Sequence, residues 1–70
     1  MNIDTPGQYR LSNGHIVEIH IVNGKGTFPV KGSWRPSKNH PWRYNIWTKK
    51  GKNQVLGESD LDIVRKIGGQ

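Results

Sequence analysis

Apolar and polar side chains alternate along much of the chain up to Thr48, the period-two pattern of strands that bury one face. The clearest run is His15–Val22, which is β-branched at five of eight positions. In it Val17, Ile19 and Ile21 share one face, expected to meet the core, while Ile16, Glu18, His20 and Val22 share the other. A shorter extended stretch, Gly7–Leu11, leads into Ser12-Asn13-Gly14, where Asn-Gly tolerates the positive φ angles of a tight hairpin turn. Asn23-Gly24-Lys25-Gly26 makes a second reversal. Thr27–Ser33 reads as a third strand, in which Pro29 has no N–H for a ladder and so favours an edge or a bend.

Trp34–Pro41 breaks the alternation with two prolines and several polar or charged residues, and reads as a loop. Alternation resumes over Trp42–Thr48: Trp42, Tyr44, Ile46 and Thr48 point one way, Arg43, Asn45 and Trp47 the other. The apolar set predicts that Trp42 and Tyr44 are core. Trp34, followed at once by Arg35-Pro36, is expected to be the most exposed tryptophan. Lys49-Lys50-Gly51-Lys52 is a basic turn and Asn53–Leu56 a fifth strand. Glu58-Ser59-Asp60-Leu61 reads as one helical turn, with Ser59 able to cap it and Asp60 and Asp62 suited to its positive end. Ile63–Ile67 could extend that turn or close the sheet as a strand, and its two leading β-branched residues favour the strand.

Five or six short strands reversed at glycines predict an all-β fold: a small five- to six-stranded SH3-like barrel (alternative: OB-like) with one short helical turn near the C-terminus. A barrel removes most of the exposed edge that so small a sheet could not cover. The chain is short for a full OB barrel and offers no helix between its strands, which favours the SH3-like form. Residues 1–6 read as an N-terminal arm, 7–67 as one domain and 68–70 as a disordered tail.

A chain of 70 residues allows one domain with a thin core. Without cysteine it has neither disulfides nor thiolate metal sites. His15, His20 and His40 lack ligand spacing, so no metal and no cofactor are expected. Clustered carboxylates occur only at Glu58, Asp60 and Asp62, where capping accounts for them, and no phosphate loop is present; the protein is expected not to be an enzyme. Met1–Gly7 has no basic region or apolar run of a secretory signal and no stretch is long and apolar enough to span a bilayer, so a soluble, intracellular protein is expected.

Charge alters the picture most. The net charge is +6, and Gly24–Gln54 holds eight Lys and Arg with no acid. Phe28, Trp34, Trp42, Tyr44 and Trp47 all lie in that segment. Rings among cations suit single-stranded nucleic acid, because bases stack on rings while cations follow phosphates. The expected binding residues are Lys31, Trp34, Arg35, Lys38, Arg43, Trp47, Lys49, Lys50 and Lys52. The alternative partner is an acidic protein, towards which a basic surface speeds association. Membrane binding is not expected, since no amphipathic helix carries the cations, and a monomer is assumed.

Four short motifs run through the chain: Tyr9-Arg10 through Gly14, Phe28-Pro29-Val30-Lys31-Gly32, Trp47-Thr48-Lys49-Lys50-Gly51 and Gly57-Glu58-Ser59-Asp60-Leu61-Asp62-Ile63-Val64. Together they resemble a group of small proteins encoded by bacteriophages and prophages, with an SH3-like barrel pattern and mostly no assigned activity. The resemblance covers nearly the whole chain and implies a phage accessory binding protein in the cytoplasm of a bacterial host, without a catalytic residue, for which the alternative partner is an acidic host protein. Trp34–Trp42 is longer and more basic than that pattern.

Overall fold

The structure, a computed structural model, describes residues 2–67. It contains β1 (Gly7–Leu11), β2 (Ile16–Ile21), β3 (Val30–Trp34), β4 (Arg43–Trp47) and β5 (Ile63–Lys66). All pairings are antiparallel and make one open sheet in the order β4-β3-β2-β1-β5. The first four strands form a meander, each pairing with the next in sequence, and β5 returns beside β1. Edge strands β4 and β5 do not pair, so the expected closed barrel is replaced by an open sheet. The turn after β4 bridges inward instead: Ile63 N–H donates to the Gly51 carbonyl (2.8 Å) and Ile3 N–H to that of Lys49 (2.8 Å). Gly51 fits because its φ is +90° and a Cβ there would lie 3.0 Å from the Ile63 carbonyl oxygen.

The core lies on one side of the sheet and comprises Ile3, Tyr9, Leu11, Val17, Ile19, Val22, Val30, Trp34, Trp47 and Ile63. The N-terminal arm is part of it. Ile3 is fully buried, and Tyr9 Oη donates to the Thr5 carbonyl. The tail expected at 68–70 lies outside the described residues.

Four expectations are corrected. In β2 the core face runs Val17, Ile19 and then Val22, because a bulge between Ile19 and Ile21 inserts His20 and turns Ile21 outward. Asn53–Leu56 bends away from the sheet, leaving Val55 and Leu56 exposed. Glu58–Leu61 forms no helical turn: Ser59 closes a simple turn, its carbonyl accepting from Asp62 N–H and its Oγ from Leu61 N–H. In β4 Arg43, Asn45 and Trp47 share the core side, opposite Trp34, Gly32 and Val30, with Trp47 buried, Asn45 half-buried and Arg43 exposed at the strand's start. Tyr44 and Ile46 therefore face solvent, as does Trp42 just before the strand.

Candidate nucleic-acid interface

The register of β3 with β4 decides where the aromatic rings go. Residues paired across strands share a face, so Trp34 and Trp47 both turn inward with Val30. Trp47 is completely buried and its Nε1–H donates to the Leu61 carbonyl. Trp34 is 5% exposed: its Nε1–H donates to Asn45 Oδ1 (3.1 Å), the His15 ring lies 5.3 Å away, and the Arg43 guanidinium sits 5.2 Å from the ring centre. Neither tryptophan offers a face to a base. Placing Trp34 on the surface, and with it the stacking role given to Trp34 or Trp47, is corrected by this register.

The basic residues separate into two sets. Lys49 is a structural post: Nζ donates to the carbonyls of Ile3 and Val22, both at 3.1 Å, and lies 3.5 Å from Asp4 Oδ1. Lys52 pairs with Asp62 at 3.0 Å. Arg43 lies against Trp34, and Lys50 is exposed in the turn after β4. Lys31, Arg35 and Lys38 form the other set. Lys31 points outward from β3 between Ile21 and Ile46, and Arg35 and Lys38 belong to the loop that joins β3 to β4.

Two shallow clefts run over the outward face. One, of about 300 Å³, is lined by His20, Ile21, Lys31, Tyr44 and Ile46, with the backbone of Gly32 and Asn45 beneath. Tyr44 is 76% exposed here, and His20 Nε2 lies 2.9 Å from Ser33 Oγ. The second, of about 410 Å³, lies where the β3–β4 loop overhangs β1 and β2: Arg35, Ser37, Lys38 and Trp42 above, Gln8, Ile16 and Glu18 below. The loop holds its shape through Ser37, whose carbonyl accepts from His40 N–H and whose Oγ lies 2.8 Å from His40 Nδ1. The Arg35 guanidinium lies 4.2 Å above the Trp42 ring, a cation–π contact that keeps both beside the cleft.

Trp42 and Tyr44 are thus the rings available to a ligand, and they stand in for the two that are buried. The alternation of β4 contains them, but it marks both faces of that strand as aromatic and does not say which is inward.

A further cleft is bordered by Ser12, Lys52, Glu58, Ser59 and Asp60 around Asp62. Its central carboxylate is committed to structure. Asp62 accepts from Lys52 Nζ (3.0 Å), Asn53 N–H (2.8 Å) and Ser59 N–H (3.1 Å). Burial works to raise its pKa, but those hydrogen bonds and the Lys52 charge together hold it below the ordinary 3.8. Among the described residues no group of three or more His, Cys, Asp or Glu could hold a metal ion, and no helix is long and apolar enough to cross a membrane.

Comparison with protein-family models, with curated proteins and with solved structures finds nothing that matches this chain.

Proposed function

We propose that this chain is a non-enzymatic binding module that takes single-stranded nucleic acid on the outward face of its sheet. The observation that carries the reading is the pair of exposed rings, Tyr44 and Trp42, set beside Lys31, Arg35 and Lys38. Bases stack on such rings irrespective of sequence, and the three cations answer the phosphates between them. A duplex hides its base faces, so rings standing on a sheet suit a single strand better. The meander with β5 returning beside β1 supports an SH3-like reading of the open sheet, and the phage-like motifs support an accessory role in a bacterial cell.

Three phosphate contacts predict a salt slope of about −2 for a single strand, so affinity should fall about twentyfold between ~50 and ~200 mM salt. Fluorescence anisotropy of labelled oligonucleotides measures this. Tyr44→Ala should weaken binding by about tenfold or more, the effect of one lost stacking platform, with its thermal melt unchanged. Absence of binding at low salt removes the proposal. An acidic protein retained from bacterial lysate after nuclease treatment would move the same surface to protein recognition.

A further inference from the structure

Among the residues of the five strands Glu18 is the one carboxylate, and it lies in the cleft under the β3–β4 loop beside Arg35 and Lys38. A carboxylate repels phosphate and weakens any nucleic-acid surface that does not use it. It is also left ready for a ligand. Among the described residues no Lys, Arg or His nitrogen lies within ion-pair distance of it, although Arg35 and Lys38 line the same cleft. Its hydrogen bond comes from Gln8 Nε2 to Oε2, at 2.6 Å. That bond holds the group in place, while Oε1 accepts no hydrogen bond among the described residues and the residue is half-buried. An ionised carboxylate accepts at about four lone-pair positions and donates none, so what it recognises must present donors.

We propose that this cleft takes a guanine base of a single strand, with Glu18 accepting from its N1–H and 2-amino group; the inference rests on the single-strand reading above. Guanine alone among the four common bases presents two adjacent donors on its Watson–Crick edge. Cytosine and adenine each present an amino group next to an acceptor, and thymine or uracil one donor between two acceptors. An acceptor-only partner therefore matches guanine twice and every other base once at most. The remaining lining fits the same ligand. Trp42, 44% exposed, supplies a stacking surface, while Arg35 and Lys38 stand where the adjoining phosphates of a strand can reach them. Ile16 closes the floor with an apolar surface. Tyr44 on the neighbouring cleft then holds another base of the same strand without reading it.

The test uses thymidine oligonucleotides that carry one central guanine, adenine, cytosine or hypoxanthine, titrated at low salt. Guanine is expected to bind about tenfold tighter than thymine or adenine, the range for one good two-donor match. Cytosine and hypoxanthine, which like thymine and adenine offer Glu18 a single donor, should bind no tighter than those two. Glu18→Gln should lose the preference while binding the all-thymidine strand at least as well as the parent, because one negative charge has gone. Free guanosine monophosphate should compete only at far higher concentration than the strand, since it cannot reach Tyr44 and Lys31. Equal affinity for all central bases, or a guanine preference that survives Glu18→Gln, overturns the guanine site and leaves the single-strand reading intact. Competition by the free nucleotide at the strand's own concentration overturns the strand as ligand in favour of a mononucleotide. If no oligonucleotide binds, both fall together.

Discussion

Replacing Trp47 by alanine removes the largest side chain that the fold buries completely. Emptying a buried aromatic site costs about 3–5 kcal/mol. The loss also strands the Leu61 carbonyl, which accepts from the indole N–H, and an unmade buried hydrogen bond adds about 1–3 kcal/mol. At ~0.05–0.15 kcal/mol per residue, a chain of 70 residues has about 3.5–10 kcal/mol in all, so Trp47→Ala should be largely unfolded in buffer. Trp47→Phe keeps most of the ring and gives up the N–H, for about 1–2 kcal/mol. Trp42→Ala should be mild: the ring is 44% exposed and its specific contact is the Arg35 guanidinium, a surface cation–π pair of about 0.5–1 kcal/mol. Urea unfolding followed by circular dichroism separates the three. With a slope near ~1 kcal/mol per molar for so small a chain, the midpoint should drop by about 1–2 M for Trp47→Phe and by less than ~1 M for Trp42→Ala. A folded Trp47→Ala together with a Trp42→Ala that unfolds would place β4 in the opposite register. Tyr44 would then be inward, and the surface assigned to nucleic acid would not exist.

Asp62 has a depressed folded pKa, so it adds stability above its ordinary 3.8 and loses that contribution as the pH falls through the folded value. The urea midpoint should therefore decline on acidification below about pH 4, and Asp62→Asn should flatten that decline while costing about 1.5–3 kcal/mol at neutral pH. Gly32→Ala should destabilise by about 1–3 kcal/mol or more, because its Cβ would fall on the Glu18 carbonyl oxygen and against Ile19 on the core side of β3; a melting temperature equal to the parent's would mean that β2 and β3 are not so closely paired.

The hairpin of β1 and β2 was legible in the sequence because its signals are local: Asn13-Gly14 favours the turn, and β-branched alternation sets Val17 and Ile19 on the core side. The all-β class followed from the same short-range pattern. The end of β2 did not, because a single-residue bulge at His20 exchanges the faces of Ile21 and Val22, and a bulge leaves no mark in hydrophobic spacing. Nor did Asn53–Leu56, where apolar residues promised a strand but no neighbouring strand accepted their backbone. For the candidate site, the sequence located the basic aromatic segment, and Lys31, Arg35 and Lys38 remain in it. Which rings join them was decided by packing. Both faces of Trp42–Trp47 carry an aromatic side chain, so alternation alone is ambiguous by one residue. The ambiguity ends only when Trp47 finds the Leu61 carbonyl and a closed volume among Val30, Ile3 and Ile63. Likewise Lys49 and Lys52 look like any other surface lysine in the chain, until the fold brings the Ile3 and Val22 carbonyls to one and the Asp62 carboxylate to the other. Turns and strand periodicity are written over a few adjacent residues. The choice of buried face and the use of each charge depend on partners far along the chain, and those only the tertiary structure supplies.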